Sequence, residues 1–204
     1  METQEMPITI YSEMTPNPNT MKFVANKMLV GDGVVAEYLN QAEAKGSSLI
    51  AESLFVFPFV KGVFITRNFI TVSKLADVEW DDITLELRLF IADSLKKNPV
   101  VVTSLPEPKA KEGLKEETTS TFEPTITSEV DQQIVDLLEE YVRPAVENDG
   151  GAIHFKSFEE GIVTVILKGS CSGCPSSTAT LKGGVEQLLR TNLPQVKEVV
   201  AEAH

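Results

Sequence analysis

The first half of the chain alternates between apolar and polar positions in the way that β-strands do. Four segments show this pattern, at residues 8–12, 21–25, 63–66 and 69–72. Arg67 and Asn68 separate the last two segments, which predicts a β-hairpin with a two-residue turn. A helical period follows at residues 81–97, and Pro99 prevents its continuation. These elements predict an α+β domain with antiparallel strands.

The second half opens with a stronger helical pattern, which begins after Ser128. Ser128 and Asp131 approximate a capping box at its start. Because Pro144 lies inside the pattern, we predict a kink or break at Arg143. Gly150 then favours termination of the helix. The apolar stripe of this helix consists of Val130, Ile134, Leu137, Leu138 and Tyr141.

Two strands, a second helix and a short third strand follow. The strands are predicted at residues 152–158, 162–168 and 196–200, and the helix at about residues 175–190. The element order of this half is therefore α-β-β-α-β, which is again an α+β arrangement. Cys171 and Cys174 lie between its second strand and its second helix.

Residues 105–127 separate the two halves. This segment is charged and rich in threonine and proline, and it has few apolar side chains to bury. A structureless loop longer than about 12–15 residues is uncommon within one domain. We therefore predict two small domains, residues 1–104 and 128–204, joined by a flexible linker at residues 105–127.

The charge of the chain limits its partners. The formal net charge is -12 at pH 7, which disfavours binding to nucleic acid and to anionic membrane surfaces. The apolar runs are far shorter than the roughly 20 residues that cross a bilayer. The first seven residues resemble neither a secretory signal nor a transit peptide. These features predict a cytoplasmic protein with no nucleic-acid or membrane partner.

The sequence contains two cysteines, Cys171 and Cys174. A disulfide scaffold would use more cysteines, and a Cys-x-x-Cys pair in a reducing compartment indicates metal or redox chemistry. Pro175 favours the first position of a helix, which puts Cys174 near its N-cap. The helix dipole and unpaired N–H groups should lower the pKa of Cys174 below that of Cys171, and Lys168 and Lys182 would act in the same direction.

Small residues surround the two cysteines. They let the backbone bend around a ligand and direct N–H groups towards sulfur. Since no large side chain guards the thiols, we expect the site to be exposed, as transfer of a bound ligand would require. The small residues are Gly169, Ser170, Ser172 and Gly173.

Two thiolates supply half of the four ligands that a cubane cluster or a tetrahedral metal ion needs. The histidines are His154, interpreted as an ordinary strand residue, and His204, interpreted as part of a disordered end. The simplest completion is a second copy of the chain related by a two-fold axis. The number of ligands therefore predicts a homodimer around a shared metal centre.

Two other functions use the same cysteines. A thiol–disulfide oxidoreductase would use them as attacking and resolving thiols, although no βαβ unit precedes the motif and the proline follows the second cysteine. A structural zinc site would normally take four ligands from one chain, and the two cysteines supply only half of them. Because no paired carboxylates, nucleophile–base couple or phosphate loop stands out, the sequence does not favour an enzyme.

The residues around the cysteines resemble those of the NifU-like, or Nfu-type, iron–sulfur cluster carriers. This resemblance covers about residues 134–200. The first half of the chain resembles the domain that precedes it in many of these carriers, through residues 15–23, 69–72 and Trp80. The motifs that carry the C-terminal resemblance are Val142-Arg-Pro144, Asp149-Gly-Gly151, Gly169-x-Cys171-x-x-Cys174-Pro-Ser-Ser177 and Leu181-Lys-x-Gly184.

This resemblance implies a role in iron–sulfur cluster assembly. It implies a cluster, more often [4Fe–4S] than [2Fe–2S], that bridges two protomers through Cys171 and Cys174. It also implies partners of two kinds, an upstream cluster donor and the apo-proteins that receive the cluster.

Overall fold

The computed structural model describes residues 7–105, 126, 128–172 and 175–203 of the 204-residue chain. The described residues form two compact units. The first contains residues 7–14 and 19–105, and the second contains residues 15–18 and the described residues from 126 onwards. The predicted linker, residues 105–127, lies almost wholly outside the described residues, so the predicted domain boundaries remain predictions.

The first unit is a five-stranded antiparallel sheet with three helices. The order of the strands in the sheet is β1-β2-β5-β4-β3. The predicted hairpin is confirmed, since β4 pairs with β5 across Arg67, whose φ is 43°. The elements are β1 Ile10–Met14, β2 Thr20–Ala25, β3 Val35–Tyr38, α1 Gln41–Ala44, α2 Leu49–Leu54, β4 Val60–Thr66, β5 Phe69–Lys74 and α3 Trp80–Lys97.

The core of the first unit contains residues of the sheet and of its helices. Leu87 and Ile91 of α3 are fully buried in this core with Phe23 and Ile70 of the sheet. Burial of each such side chain contributes roughly 1.5–3 kcal/mol to folding. The predicted helical period at residues 81–97 therefore corresponds to α3 and to the side chains that it buries.

β3, α1 and α2 have no counterpart among the elements predicted from the sequence. The two helices have four and six residues, which is too short for an apolar period to appear. Their capping residues were the available signal: Asn40 accepts a hydrogen bond from the Glu43 amide and Ser48 accepts one from the Ala51 amide. Asparagine and serine are favoured at this position because they satisfy unpaired N–H groups.

The second unit packs helices against a three-stranded sheet of order β6-β7-β8. β6 and β7 are antiparallel, and β7 and β8 are parallel. The parallel pair is connected through α6, the helix that follows the cysteine loop. The elements are α4 Glu129–Leu137, α5 Arg143–Asn148, β6 Gly151–Glu159, β7 Ile162–Gly169, α6 Pro175–Asn192 and β8 Glu198–Ala203. The two sheets and their helices confirm the predicted α+β class.

A π-helical turn at Leu138–Val142 connects α4 to α5. The amide of Arg143 donates to the carbonyl of Leu138, five residues earlier. Pro144 explains this turn, because its ring would clash with the carbonyl four residues earlier in a regular α-helix. A kink or break was predicted at Arg143; the structure has a π-helical turn directly before this residue, and the helix continues into α5 without a gap. The predicted capping box of Ser128 and Asp131 is confirmed.

The π-helical turn also changes which residues are buried. Ile134, Leu138, Val142 and Val146 are buried at intervals of four residues. Tyr141, predicted to belong to the stripe, is 56% exposed. The prediction was wrong because it assumed a regular α-helical period, whereas the wider turn moves the buried face to Val142.

Candidate functional site

The cysteine loop begins where β7 ends at Gly169. Gly169 has φ of 68°, a left-handed conformation that glycine adopts without steric cost. The Ser172 amide and hydroxyl both donate to the Gly169 carbonyl, at 3.1 and 2.8 Å. Together these contacts form a tight turn, which directs the chain from the strand to Cys171.

Ser170 connects this loop to the turn that follows α5. Its amide donates to the carbonyl of Gly150 at 3.3 Å, and its hydroxyl donates to the carbonyl of Asp149. Gly150 has φ of 81°, as expected for a residue that ends a helix. Because Gly151 and Gly169 are partners in the β6–β7 ladder, the Asp149–Gly151 motif and the cysteine loop lie side by side.

Cys171 is buried, with 6% of its surface exposed, and it belongs to the core of the second unit. Burial raises the pKa of its thiol; the nearby Ser170 hydroxyl lowers the pKa and Asp149 raises it, each to a smaller extent. The Ser170 Oγ lies 3.8 Å from the Cys171 Sγ. The thiol is therefore protonated at neutral pH in this conformation.

This burial contradicts the expectation that the thiol of Cys171 would be exposed. The expectation considered side chains alone, and the residues next to Cys171 in sequence are small. The sulfur instead lies within the apolar core of the second unit and against Gly151 of the neighbouring strand. The proximity of Gly151 comes from the β6–β7 register and cannot be seen in the local sequence.

Cys174 and Gly173 lie outside the described residues. α6 begins at Pro175, which agrees with the predicted position of the helix. The low pKa of Cys174 remains a prediction. Lys182, expected to contribute positive charge, forms an ion pair with Glu198 at 3.4 Å, so its charge is partly compensated.

His154 lies on β6 opposite Ile166. Its pKa is lowered to about 4, mainly by burial and to a smaller extent by the positive charges of Lys168 and Arg143. His154 is therefore neutral at pH 7, in keeping with its interpretation as a strand residue. His204 lies outside the described residues.

Within the part of the chain that the structure describes, no three His, Cys, Asp or Glu side chains come together as a metal site. Cys171 supplies one sulfur ligand, and the sequence places the second three residues later. A Cys-x-x-Cys pair in a loop between a strand and a helix suits an iron–sulfur cluster, because cysteine thiolates are the ligands that bind iron in such clusters. Among the described helices, none is long and apolar enough to span a membrane.

Both halves of the chain match known protein families. Residues 134–200 match the NifU-like domain, and residues 10–98 match the N-terminal domain of the scaffold protein Nfu/NifU. The first of these ranges contains α5, the Asp149–Gly151 motif and both cysteines. The second contains all the strands of the first unit.

Curated relatives resemble the chain over most of its length. It is 36% identical over 190 residues to the "NFU1 iron-sulfur cluster scaffold homolog, mitochondrial" of Drosophila sechellia, covering 93% of this chain and 63% of that protein. It is 35% identical to the "NifU-like protein 4, mitochondrial" of Arabidopsis thaliana, covering 98% and 68% of the two chains. A NifU-like protein of Schizosaccharomyces pombe is 33% identical, with 95% and 72% covered.

The chain thus spans less than two thirds of the length of the Drosophila sechellia relative. A solution NMR structure of a NifU-like protein from Saccharomyces cerevisiae is 25% identical and has a TM-score of 0.43, covering 50% of this chain and 91% of that one. The identity and coverage shared with the Arabidopsis thaliana and Schizosaccharomyces pombe relatives decide the assignment. The chain belongs to the NifU-like (Nfu-type) family, with the N-terminal Nfu domain followed by the NifU-like domain.

Proposed function

We propose that the chain is an iron–sulfur cluster scaffold and carrier, which binds a [4Fe–4S] cluster between two copies of itself and transfers it to apo-proteins. The observation that carries this proposal is the position of Cys171, in a tight turn between β7 and α6 of the NifU-like domain. The relative of this chain in Drosophila sechellia is named as an iron–sulfur cluster scaffold homolog. Cys171 and Cys174 are the proposed ligands.

The number of cysteines supports a shared cluster. The sequence has two cysteines, and a [4Fe–4S] cluster takes four thiolate ligands. Two chains related by a two-fold axis supply four. A [2Fe–2S] cluster would need the same four thiolates, so the ratio of iron to chain distinguishes the two cluster types.

Transfer requires ligand exchange and no oxidation or reduction by the chain. Thiolates of the apo-protein replace Cys171 and Cys174 one at a time, and each released cysteine takes up a proton. The upstream donor would load the cluster by the same exchange in reverse. The first unit, connected through the linker, would raise the local concentration of the receiving protein near the cluster. This is binding chemistry, and we assign no enzymatic activity to the chain.

Anaerobic reconstitution with iron and sulfide tests the proposal. We expect brown protein that sediments as a dimer and carries four irons and four sulfides per two chains. Cys171→Ser and Cys174→Ser should each abolish the colour and the dimer. Ser157→Ala is the control, because it removes a hydroxyl on β6 of the same domain, outside the cysteine loop, and leaves both thiols in place.

Three results would contradict the proposal. A monomer that holds the cluster would refute the shared site. Catalysis of disulfide reduction by a monomer, without cluster uptake, would identify a thiol–disulfide oxidoreductase. Colourless dimers with half a zinc per chain would identify a structural zinc site.

We also propose a cytoplasmic location and soluble partners. The names of the Drosophila and Arabidopsis relatives place those proteins in mitochondria, so the location needs a direct test. Fractionation of cells that express the full-length gene product would provide it. Recovery of the protein in an organelle fraction would refute the proposed location.

A further inference from the structure

The sulfur of Cys171 occupies a pocket whose walls include backbone atoms. Cys171 is 6% exposed, and it lies beside the ladder position where Gly151 pairs with Gly169. A ligand to a cluster that bridges two chains must reach the surface where the chains meet. In the position observed, the Cys171 thiol points into the core of its own unit.

Gly151 provides the space that this sulfur occupies. A Cβ atom added at Gly151 would lie 2.8 Å from the Cys171 Sγ and 3.2 Å from the Cys171 Cβ. It would also lie 2.7 Å from the carbonyl oxygen of Lys168. Separations below 3.0 Å essentially never occur for a real Cβ atom. Any side chain at residue 151 would therefore displace the thiol, the strand or both.

The requirement for glycine at residue 151 is one of space. Gly150 and Gly169 have positive φ, so their backbone conformation explains why glycine is present. Gly151 does not fall among the glycines with positive φ, and other residue types can adopt its conformation. The contact with Cys171 therefore distinguishes Gly151 from Gly150 and Gly169.

We propose that Gly151 is a positioning residue: it creates the pocket in which the cluster-free chain buries the Cys171 thiol, and cluster loading begins when this thiol leaves the pocket. The inference rests on the proposed function, because it assigns Cys171 two positions, one buried without a cluster and one at the surface with it. On leaving the pocket the thiol gives up its proton and binds iron as thiolate. Burial in the cluster-free chain protects the thiol from alkylation and oxidation.

The first test measures the accessibility of Cys171 in the cluster-free chain. In a Cys174→Ser background, Cys171 is the remaining thiol, and its alkylation by iodoacetamide can be followed by mass spectrometry at one fixed pH. We expect the folded chain to react at least roughly tenfold more slowly than the same chain in urea, because reaction requires local opening. Equal rates in the folded and unfolded chains would overturn the proposal, whether or not any variant folds.

The second test changes the pocket. Gly151→Ala should raise the alkylation rate of Cys171 roughly tenfold, since the added methyl group makes the buried position less favourable. Gly183→Ala is the matched control, because a Cβ there meets nothing within 4 Å, and it should leave the rate unchanged. An unchanged rate in Gly151→Ala would refute the role of Gly151.

A double-mutant cycle separates the contact with sulfur from the contact with the Lys168 carbonyl. Gly151→Ala should reduce the free energy of unfolding in urea, and the loss should be smaller in a Cys171→Ala background, where the sulfur is absent. An equal loss in both backgrounds would show that Gly151 makes room only for the strand, and would overturn the proposal.

The last test concerns loading. With both cysteines present, Gly151→Ala should take up iron and sulfide faster than the wild type, in proportion to its higher alkylation rate. A higher alkylation rate without faster uptake would refute the claim that loading begins when the thiol leaves its pocket. If the wild-type chain took up no cluster at all, the proposed function would fail, whereas slow alkylation would still establish the buried thiol.

Discussion

At the scale of single residues, three glycines surround Cys171 for two different reasons. Gly150 and Gly169 take left-handed backbone conformations, with φ of 81° and 68°. Gly151 instead leaves space that a Cβ atom would take from the Cys171 sulfur and the Lys168 carbonyl oxygen. Substitutions at Gly150 and Gly169 should therefore strain the backbone, whereas substitutions at Gly151 should displace neighbouring atoms.

The left-handed conformation of Gly150 gives a prediction for stability. Gly150→Ala should reduce the free energy of unfolding of the second unit by about 1–2 kcal/mol, because a Cβ is disfavoured at positive φ. Gly150→Asn should cost less, since asparagine tolerates this conformation better. Urea unfolding measures both changes. Equal stability of Gly150→Ala and the wild type would contradict the observed backbone conformation.

His154 gives a prediction for pH dependence. Its pKa of about 4 in the folded chain lies below the ordinary value of 6.5, so the folded state favours the neutral form. The stabilisation is fully present above pH 6.5 and is lost as the pH falls through 6.5 towards 4. At pH 5 the free energy of unfolding of the second unit should therefore be about 2 kcal/mol lower than at pH 7.5.

The measurement is hydrogen exchange of the β6–β7 amides at several pH values, corrected for intrinsic exchange rates. His154→Gln should remove this part of the pH dependence, because glutamine does not titrate. Lys168 and Arg143, the two cations that lower the pKa of His154, remain in the variant. A pH dependence that is the same in both proteins would assign the effect to other groups.

At the scale of elements, the capping box at the start of α4 is a local feature with a measurable contribution. The Ser128 Oγ accepts from the Asp131 amide at 3.1 Å, and the Asp131 carboxylate accepts from the Ser128 amide at 2.9 Å. Ser128→Ala should cost about 1 kcal/mol of stability, because one helix N–H loses its acceptor. Ser128→Thr keeps an acceptor and should cost less. Thermal or urea unfolding that ranks the two variants in the opposite order would contradict the role of the cap.

Much of the arrangement of elements follows from the sequence. The hairpin at Arg67, helix α3 and the position of the cysteine loop before Pro175 each have a local signal, either an apolar period or a special residue. Tyr141 was misplaced because the period of a π-helical turn differs from that of an α-helix. The helices α1 and α2 have four and six residues, too few to show an apolar period, so their caps are the main signal that they leave.

The candidate site follows from the sequence only in part. The spacing of Cys171 and Cys174 and the small residues beside them are local features, and they are enough to indicate cluster chemistry. The buried position of Cys171 has no such local signal. The space for its sulfur depends on Gly151, which lies twenty residues earlier in the chain. Only the register of β6 on β7 brings the two residues into contact.

At the scale of the whole molecule, charge should oppose the pairing of two chains. Each chain has a formal net charge of -12, so two copies repel one another at long range. Salt screens such repulsion, with a Debye length of about 30 Å at 0.01 M and about 8 Å at 0.15 M. The cluster-loaded dimer should therefore dissociate less at 0.15 M salt than at 0.01 M.

Sedimentation of the reconstituted protein at the two salt concentrations tests this prediction, with the iron content measured in each sample. Tighter pairing at low salt would show that attractive ion pairs across the interface outweigh the overall repulsion. Cluster-free protein provides the control, because any change in its sedimentation with salt does not depend on the cluster.

The π-helical turn before Pro144 limits which deletions the helix can accept. The turn holds one residue more than the α-helical path would need, so loss of a single codon between 138 and 142 would restore a regular helix. That helix would then carry the proline ring against a backbone carbonyl. We therefore expect a deletion of one residue from 138–142 to destabilise the second unit less when Pro144 is also replaced by alanine, as urea unfolding of the two variants would show.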